Sequence, residues 1–151
     1  MIFIYRDSDA ARHAHNLIRF DLEKQVPQGA NVVRATLVID CYSGINGSTV
    51  LTGHKALKPW TDGRTFWKNW GNGGNEAGYA EDIAVLESTI SSTREYHFRL
   101  DPSVVQGWLD DPDANYGLLL KPNRDSNAFH WSAQGDTGDI PPKLVIEYDE
   151  G

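Results

Sequence analysis

Apolar residues recur at every second position in this chain, in short runs cut by Gly, Asn, Asp and Pro. That period belongs to a strand with one buried face and one exposed face, and a helix cannot satisfy it. The clearest run, residues 31–40, places Val33, Ala35, Leu37 and Ile39 on one face. Residues 17–22 alternate in the same way, with Ile18, Phe20 and Leu22 set against Arg19 and Asp21. Between them, Pro27 followed by Gly29 marks a turn. Further strands read at 49–57, 96–100, 116–121, 128–132 and 143–148. One-faced strands need a second sheet to cover them, and 151 residues are enough to bury such a core. The expected fold is a single all-β domain over 1–151, a two-sheet antiparallel β-sandwich (jelly roll) with one short helix.

The helix announces itself at Asp101-Pro102, an N-cap followed by proline at the first helical position. Val104, Val105, Trp108 and Leu109 then form one apolar stripe, and Asp110-Asp111-Pro112-Asp113 closes it. Acids at a helix C-terminus oppose the helix dipole, which favours cations there, so this group is a candidate cation site. Residues 80–90 fit either element: Ile83, Leu86 and Ile90 suit a helix, whereas Ile83 and Val85 could begin a strand.

Charge narrows the partners. Fourteen Lys and Arg against 21 Asp and Glu give a net charge of −7 with histidine neutral. A nucleic-acid partner held by phosphate neutralisation and a polybasic membrane patch are both unexpected. No apolar run approaches the roughly 20 residues of a spanning helix, so membrane insertion is not expected. The apolar stretch at residues 1–5 is short for a signal peptide and lacks a basic region before it. The chain therefore reads as a cytosolic or viral product, or as a module excised from a longer secreted chain. The single cysteine, Cys41, leaves no intrachain disulfide and no cysteine-based zinc cluster, and it reads as a small buried hydrophobe.

Several short patterns then follow in a particular order. Leu17-Ile18-Arg19-Phe20-Asp21-Leu22 precedes Pro27-Gln28-Gly29-Ala30 and Ala35-Thr36-Leu37. Trp60-Thr61-Asp62-Gly63-Arg64-Thr65-Phe66-Trp67 comes next, then Phe98-Arg99-Leu100-Asp101 with Val104, Val105 and Trp108. Asn115-Tyr116-Gly117-Leu118-Leu119-Leu120 and Pro142-Lys143-Leu144-Val145-Ile146-Glu147-Tyr148 complete the set. This order resembles the DNRLRE-domain family and the related family 96 carbohydrate-binding modules, from about Leu17 to Tyr148. The resemblance implies a β-sandwich module, non-catalytic and appended to extracellular or cell-surface proteins, with some members binding acidic or neutral polysaccharides. It also places Trp60, Trp67 and Trp108 in structural positions. Two departures are visible: only sixteen residues precede Leu17, and Thr61-Asp62 stands where the family carries an acid after the first tryptophan.

Sugar recognition needs aromatic planes for pyranose CH faces and planar polar groups for hydroxyls. Trp70 and Tyr79 bracket a Gly- and Asn-rich loop that includes Asn72 and Asn75, and loops on a rigid sandwich are where binding resides. The competing role for Trp70 is to anchor that loop against the sheet. His97 and Arg99 alternate with Phe98 and Leu100 and form an exposed basic pair that suits uronate carboxylates, alongside His54 and Lys55 in another strand. Phe129 and Trp131 share one face, expected to be core, with His130 outward.

Metal leads are His13 with His15, and for a structural calcium ion Asp110, Asp111 and Asp113, or Asp136 and Asp139. No cofactor is expected to be required. No nucleophile elbow, zinc-protease motif or phosphate loop is present, and nothing fixes a glycosidase pair such as Glu76 with Asp82. The expected function is non-catalytic polysaccharide binding or surface adhesion, at Trp70, Asn72, Asn75, Tyr79, His97 and Arg99. The alternative is a structural jelly-roll protein of a virion or cell surface whose partner is another protein; a small polysaccharide-cleaving enzyme ranks last.

Overall fold

A computed structural model of the chain describes residues 2–5, 14–43, 48–61, 70, 78–123, 130–131 and 141–150. Its strands are β1 (Ile2–Tyr5), β2 (Ala14–Ile18), β3 (Asn31–Ser43), β4 (Thr49–Ala56), β5 (Tyr79–Ile90), β6 (Arg94–Leu100), β7 (Leu118–Pro122), β8 (His130–Trp131) and β9 (Lys143–Asp149). A helix, α1 (Pro102–Asp110), and a 3-10 turn, η1 (Pro112–Ala114), lie between β6 and β7. One sheet has five strands in the order β1-β2-β7-β4-β5. The other is built on β3, with β6 along one edge and β9 and β8 successively along the other. Every pairing is antiparallel. The two-sheet sandwich expected from the period-two pattern is the fold, and residues 80–90 belong to strand β5.

The core lies between the sheets. Ala35, Leu37, Ile39 and Cys41 of β3 and Tyr96, Phe98 and Leu100 of β6 meet Ile18, Leu51, Leu86, Leu118 and Leu120 from the opposite sheet. Helix α1 caps this core with Val104, Val105 and Trp108. Its start is as expected: Asp101 accepts a hydrogen bond from the Ser103 amide at 2.9 Å, with Pro102 in the first turn.

Two sequence expectations need correction. Val33 is 51% exposed, whereas Val32 is buried. A bulge between Val32 and Arg34, opposite β9, inserts one residue and reverses the facing of everything before it. Residues 17–22 are not one strand either. The β2 ladder ends at Ile18, and the chain continues as a strap over 19–30 that crosses to the other sheet. The alternation survives along it: Leu22 is buried, Phe20 packs on the core, and Arg19 and Asp21 are exposed. The strap ends in the expected turn. Ala30 N–H donates to Pro27 O at 3.2 Å, and Gly29 has the positive φ (85°) that the third position of a type II turn needs.

A second apolar cluster covers the outside of the five-stranded sheet. It joins Leu17, Ala56, Trp70, Tyr79 and Leu119, with Trp60 and Tyr116 packed against it. Strand β7 is therefore buried on both faces: Leu118 and Leu120 point to the main core and Leu119 to the outer cluster.

Candidate functional site

Among the described residues, those expected to bind sugar do not form one site. Trp70 and Tyr79 are 5% and 3% exposed, and their rings stack on each other with centroids 6.3 Å apart and planes at 14°. Trp70 Nε1 donates to Lys58 O at 3.3 Å, and Lys121 Nζ lies 5.6 Å from the Tyr79 ring centroid. Burial, reinforced by Glu81, pushes the Tyr79 phenol up. Both rings thus serve to close the outer cluster, the anchoring role, and neither leaves a face for a pyranose. Asn72 and Asn75 lie outside the described residues.

His97 and Arg99 are exposed as expected, but on the outer face of the four-stranded sheet, across the sandwich from Trp70. His97 Nε2 also lies 2.7 Å from Glu95 Oε1, so a carboxylate interrupts the basic strip. His54, read as part of such a strip, is buried against Tyr79, with Nδ1 2.9 Å from Ala80 O.

The metal candidates fare similarly. Among the described residues, no three His, Cys, Asp or Glu side chains stand close enough to hold a metal ion. Asp110, Asp111 and Asp113 are exposed, and Asp110 Oδ1 accepts from Gln106 Nε2 at 2.9 Å. His13, Asp136 and Asp139 lie outside the described residues, as do Trp67 and Phe129.

Cys41 is a core residue, 1% exposed. Burial, and secondarily Asp40, pushes its thiol from 9.0 to about 11. The sign of the linkage follows. Between pH 9 and 11 the native thiol keeps its proton while that of the unfolded chain ionises, so stability falls as pH rises through this window. Urea midpoints measured at about pH 8 and about pH 10.5 should drop more for the wild type than for Cys41→Ala. Thiol alkylation should follow global unfolding.

Among the described residues, a cleft lies between the strap and the end of α1. Its volume is about 520 Å³. Arg19, Phe20, Asp21, Leu22, Glu23, Val26 and Gln28 wall one side, and Trp108, Leu109, Pro112 and Asn115 wall the other. Asn115 ties the two walls together, because its Nδ2 donates to Phe20 O at 2.9 Å. Two polar atoms are left over. Trp108 is 2% exposed, and its Nε1–H finds no acceptor among the described residues; the buried Asn115 Oδ1 likewise finds no donor. Buried polar groups are nearly always partnered, so an orphan donor and an orphan acceptor on two residues that line one cleft are unusual. Both atoms are closed to solvent, so neither is presented to the cleft as it stands.

Sequence reasoning missed this site because it depends on contacts across 95 residues, Phe20 to Asn115. The one available signal was the polar alternation Arg19, Asp21, Glu23 beside a turn. Comparison with protein-family models and with curated proteins finds no match. Among the described residues, no helix is long and apolar enough to cross a membrane.

Proposed function

We propose that this protein is a non-catalytic glycan-binding module of an extracellular or cell-surface protein, and that the cleft beside α1 is its binding site. The observation that carries the reading is a cleft of about 520 Å³ walled by Phe20 and by the exposed polar groups of Asp21, Glu23 and Gln28. That volume lies in the range of small-molecule sites. Phe20 supplies an aromatic surface, and Asp21, Glu23 and Gln28 supply planar polar groups for further hydroxyls. The two carboxylates are solvent-exposed, so neither has the dry surroundings on which glycosidic acid catalysis relies. Binding therefore fits the cleft better than turnover. The resemblance of the ordered sequence pattern to DNRLRE domains and family 96 modules is in keeping with this reading.

Native gels cast with a panel of neutral, acidic and amino polysaccharides test it. At least one glycan should retard the protein. The double variant Asp21→Ala, Gln28→Ala, which removes two exposed polar groups of the lining, should weaken that retardation about tenfold, the worth of one to two hydrogen bonds. Its circular dichroism should stay native. Absence of retardation by every polysaccharide would sink the proposal.

A further inference from the structure

Strand β9 has an open side. Among the described residues it bonds β3 and no other strand. Its inward side chains are incompletely covered: Leu144 and Ile146 pack on the main core but stay half-buried, and Tyr148 is 36% exposed. A groove of about 410 Å³ runs beside these three residues, with Phe20, Leu22 and Val26 of the strap on its other wall. Strand β6, on the opposite edge of the same sheet, differs, because its inward Tyr96, Phe98 and Leu100 are 5% exposed or less. Apolar surface is therefore left to bury at β9 and not at β6. A seven-residue edge strand of this kind is a template for another strand.

The order of residues within β9 says which strand fits. Lys143-Leu144-Val145-Ile146-Glu147-Tyr148-Asp149 is self-complementary about Ile146. An antiparallel copy with Ile146 opposite Ile146 sets Lys143 against Asp149 at both ends. On the core side it sets Leu144 against Tyr148 twice, and on the outer side Val145 against Glu147. Opposite charges and aromatic–aliphatic neighbours are the cross-strand pairs that stabilise a sheet. Charged side chains on an edge ordinarily keep copies apart; here their signs attract. Other two-fold registers are poorer. Centring on Val145 brings in Pro142, which has no N–H to give, and calls on Glu147, already bonded to Arg34 at 3.0 Å. Centring on Glu147 opposes two like carboxylates.

We infer that two copies of this chain associate through β9 about a two-fold axis, joining their four-stranded sheets into one continuous sheet. The inference does not rest on the cleft beside α1 being a glycan site.

Sedimentation velocity of the intact protein from about 1 to 200 μM tests it. The chain should pass from monomer to dimer with no larger species, since a two-fold interface closes at two. Lys143→Asp alone, or Asp149→Lys alone, opposes like charges at both ends and should raise the dimer Kd about tenfold. The double variant restores opposite signs and should bring the Kd back within about threefold. Both side chains are exposed, so each variant should keep native circular dichroism. General repulsion between chains of net charge −7 predicts otherwise, because Lys143→Asp makes the chain more negative and Asp149→Lys less so. Opposite effects of the two single reversals would therefore overturn the pairing. A double variant that dimerises no better than the singles would overturn it too, as would assembly beyond two. A monomer at every concentration would leave the β9 edge to a strand of another protein.

Discussion

Gly117→Ala is expected to be strongly destabilising. Gly117 has φ of +78°, a conformation that side chains other than hydrogen rarely adopt. A Cβ there would also stand 2.0 Å from Ile18 O and 3.0 Å from Arg19 Cα, both backbone atoms with no rotamer to relax into. Gly117 is where the chain from η1 enters β7, pressed against the point at which the strap leaves β2, and its carbonyl accepts from Ala56 N–H at 2.9 Å. Strained φ costs about 1–3 kcal/mol and a backbone clash a similar amount, so a loss on the order of 3–5 kcal/mol follows. For a chain of this size that lowers Tm by roughly 10 °C or more. Gly29→Ala is the control. Its φ is +85°, but a Cβ there meets nothing within 4 Å, so only the strain should register. Equal losses for the two variants would refute the close approach of 117 to Ile18.

Leu119→Ala should have the next largest effect, and an unusual distribution of it. Leu119 is fully buried, yet it faces away from the main core, into the cluster of Leu17, Ala56, Trp70 and Tyr79. Truncating a buried leucine costs about 2–5 kcal/mol, depending on how far the site can collapse. Stacked rings over a sheet repack poorly around such a gap. Urea denaturation should therefore show a loss of about 3 kcal/mol. Hydrogen exchange at the amides of Trp70 and Tyr79 should accelerate more than at Leu37 or Phe98. Ile83→Ala is the comparison: that side chain is 65% exposed, and its loss should stay within about 0.5 kcal/mol. A Leu119→Ala cost no larger than that would mean the outer cluster is not a second core.

The fold was readable wherever one physical rule acted alone. Alternation placed β3, β6 and β9 within a few residues, because each has one face toward the core and one outward. The rule failed at Val33, where a bulge changed the phase, and at residues 17–22, where the alternation is real but the ladder stops at Ile18. It could not foresee that β7 is buried on both sides, since Leu118-Leu119-Leu120 has no period to read. The candidate site was harder still. Composition drew attention to Trp70, but burial decides what an aromatic does, and burial here depends on a partner nine residues on, Tyr79, and on β7, about fifty residues away. Trp108 was expected in the core and is there; that its N–H would lack an acceptor is a property of the assembled core.

The position of β7 in the five-stranded sheet has a consequence for the order in which the chain can assemble. Its neighbours are β2 and β4, so Leu17 pairs with Leu119 and Gly53 with Leu120. During synthesis, β2 emerges about a hundred residues before the strand that bonds it, and β4 about sixty-five before. The β4–β5 hairpin can form early, but the five-stranded sheet has no centre until β7 arrives. Closing loops of that length before any contact compensates for them makes folding slow and concerted. In the interval the edges of β2 and β4 stand open to other chains, which makes a nascent chain stalled before Leu118 the species of this protein most prone to aggregate.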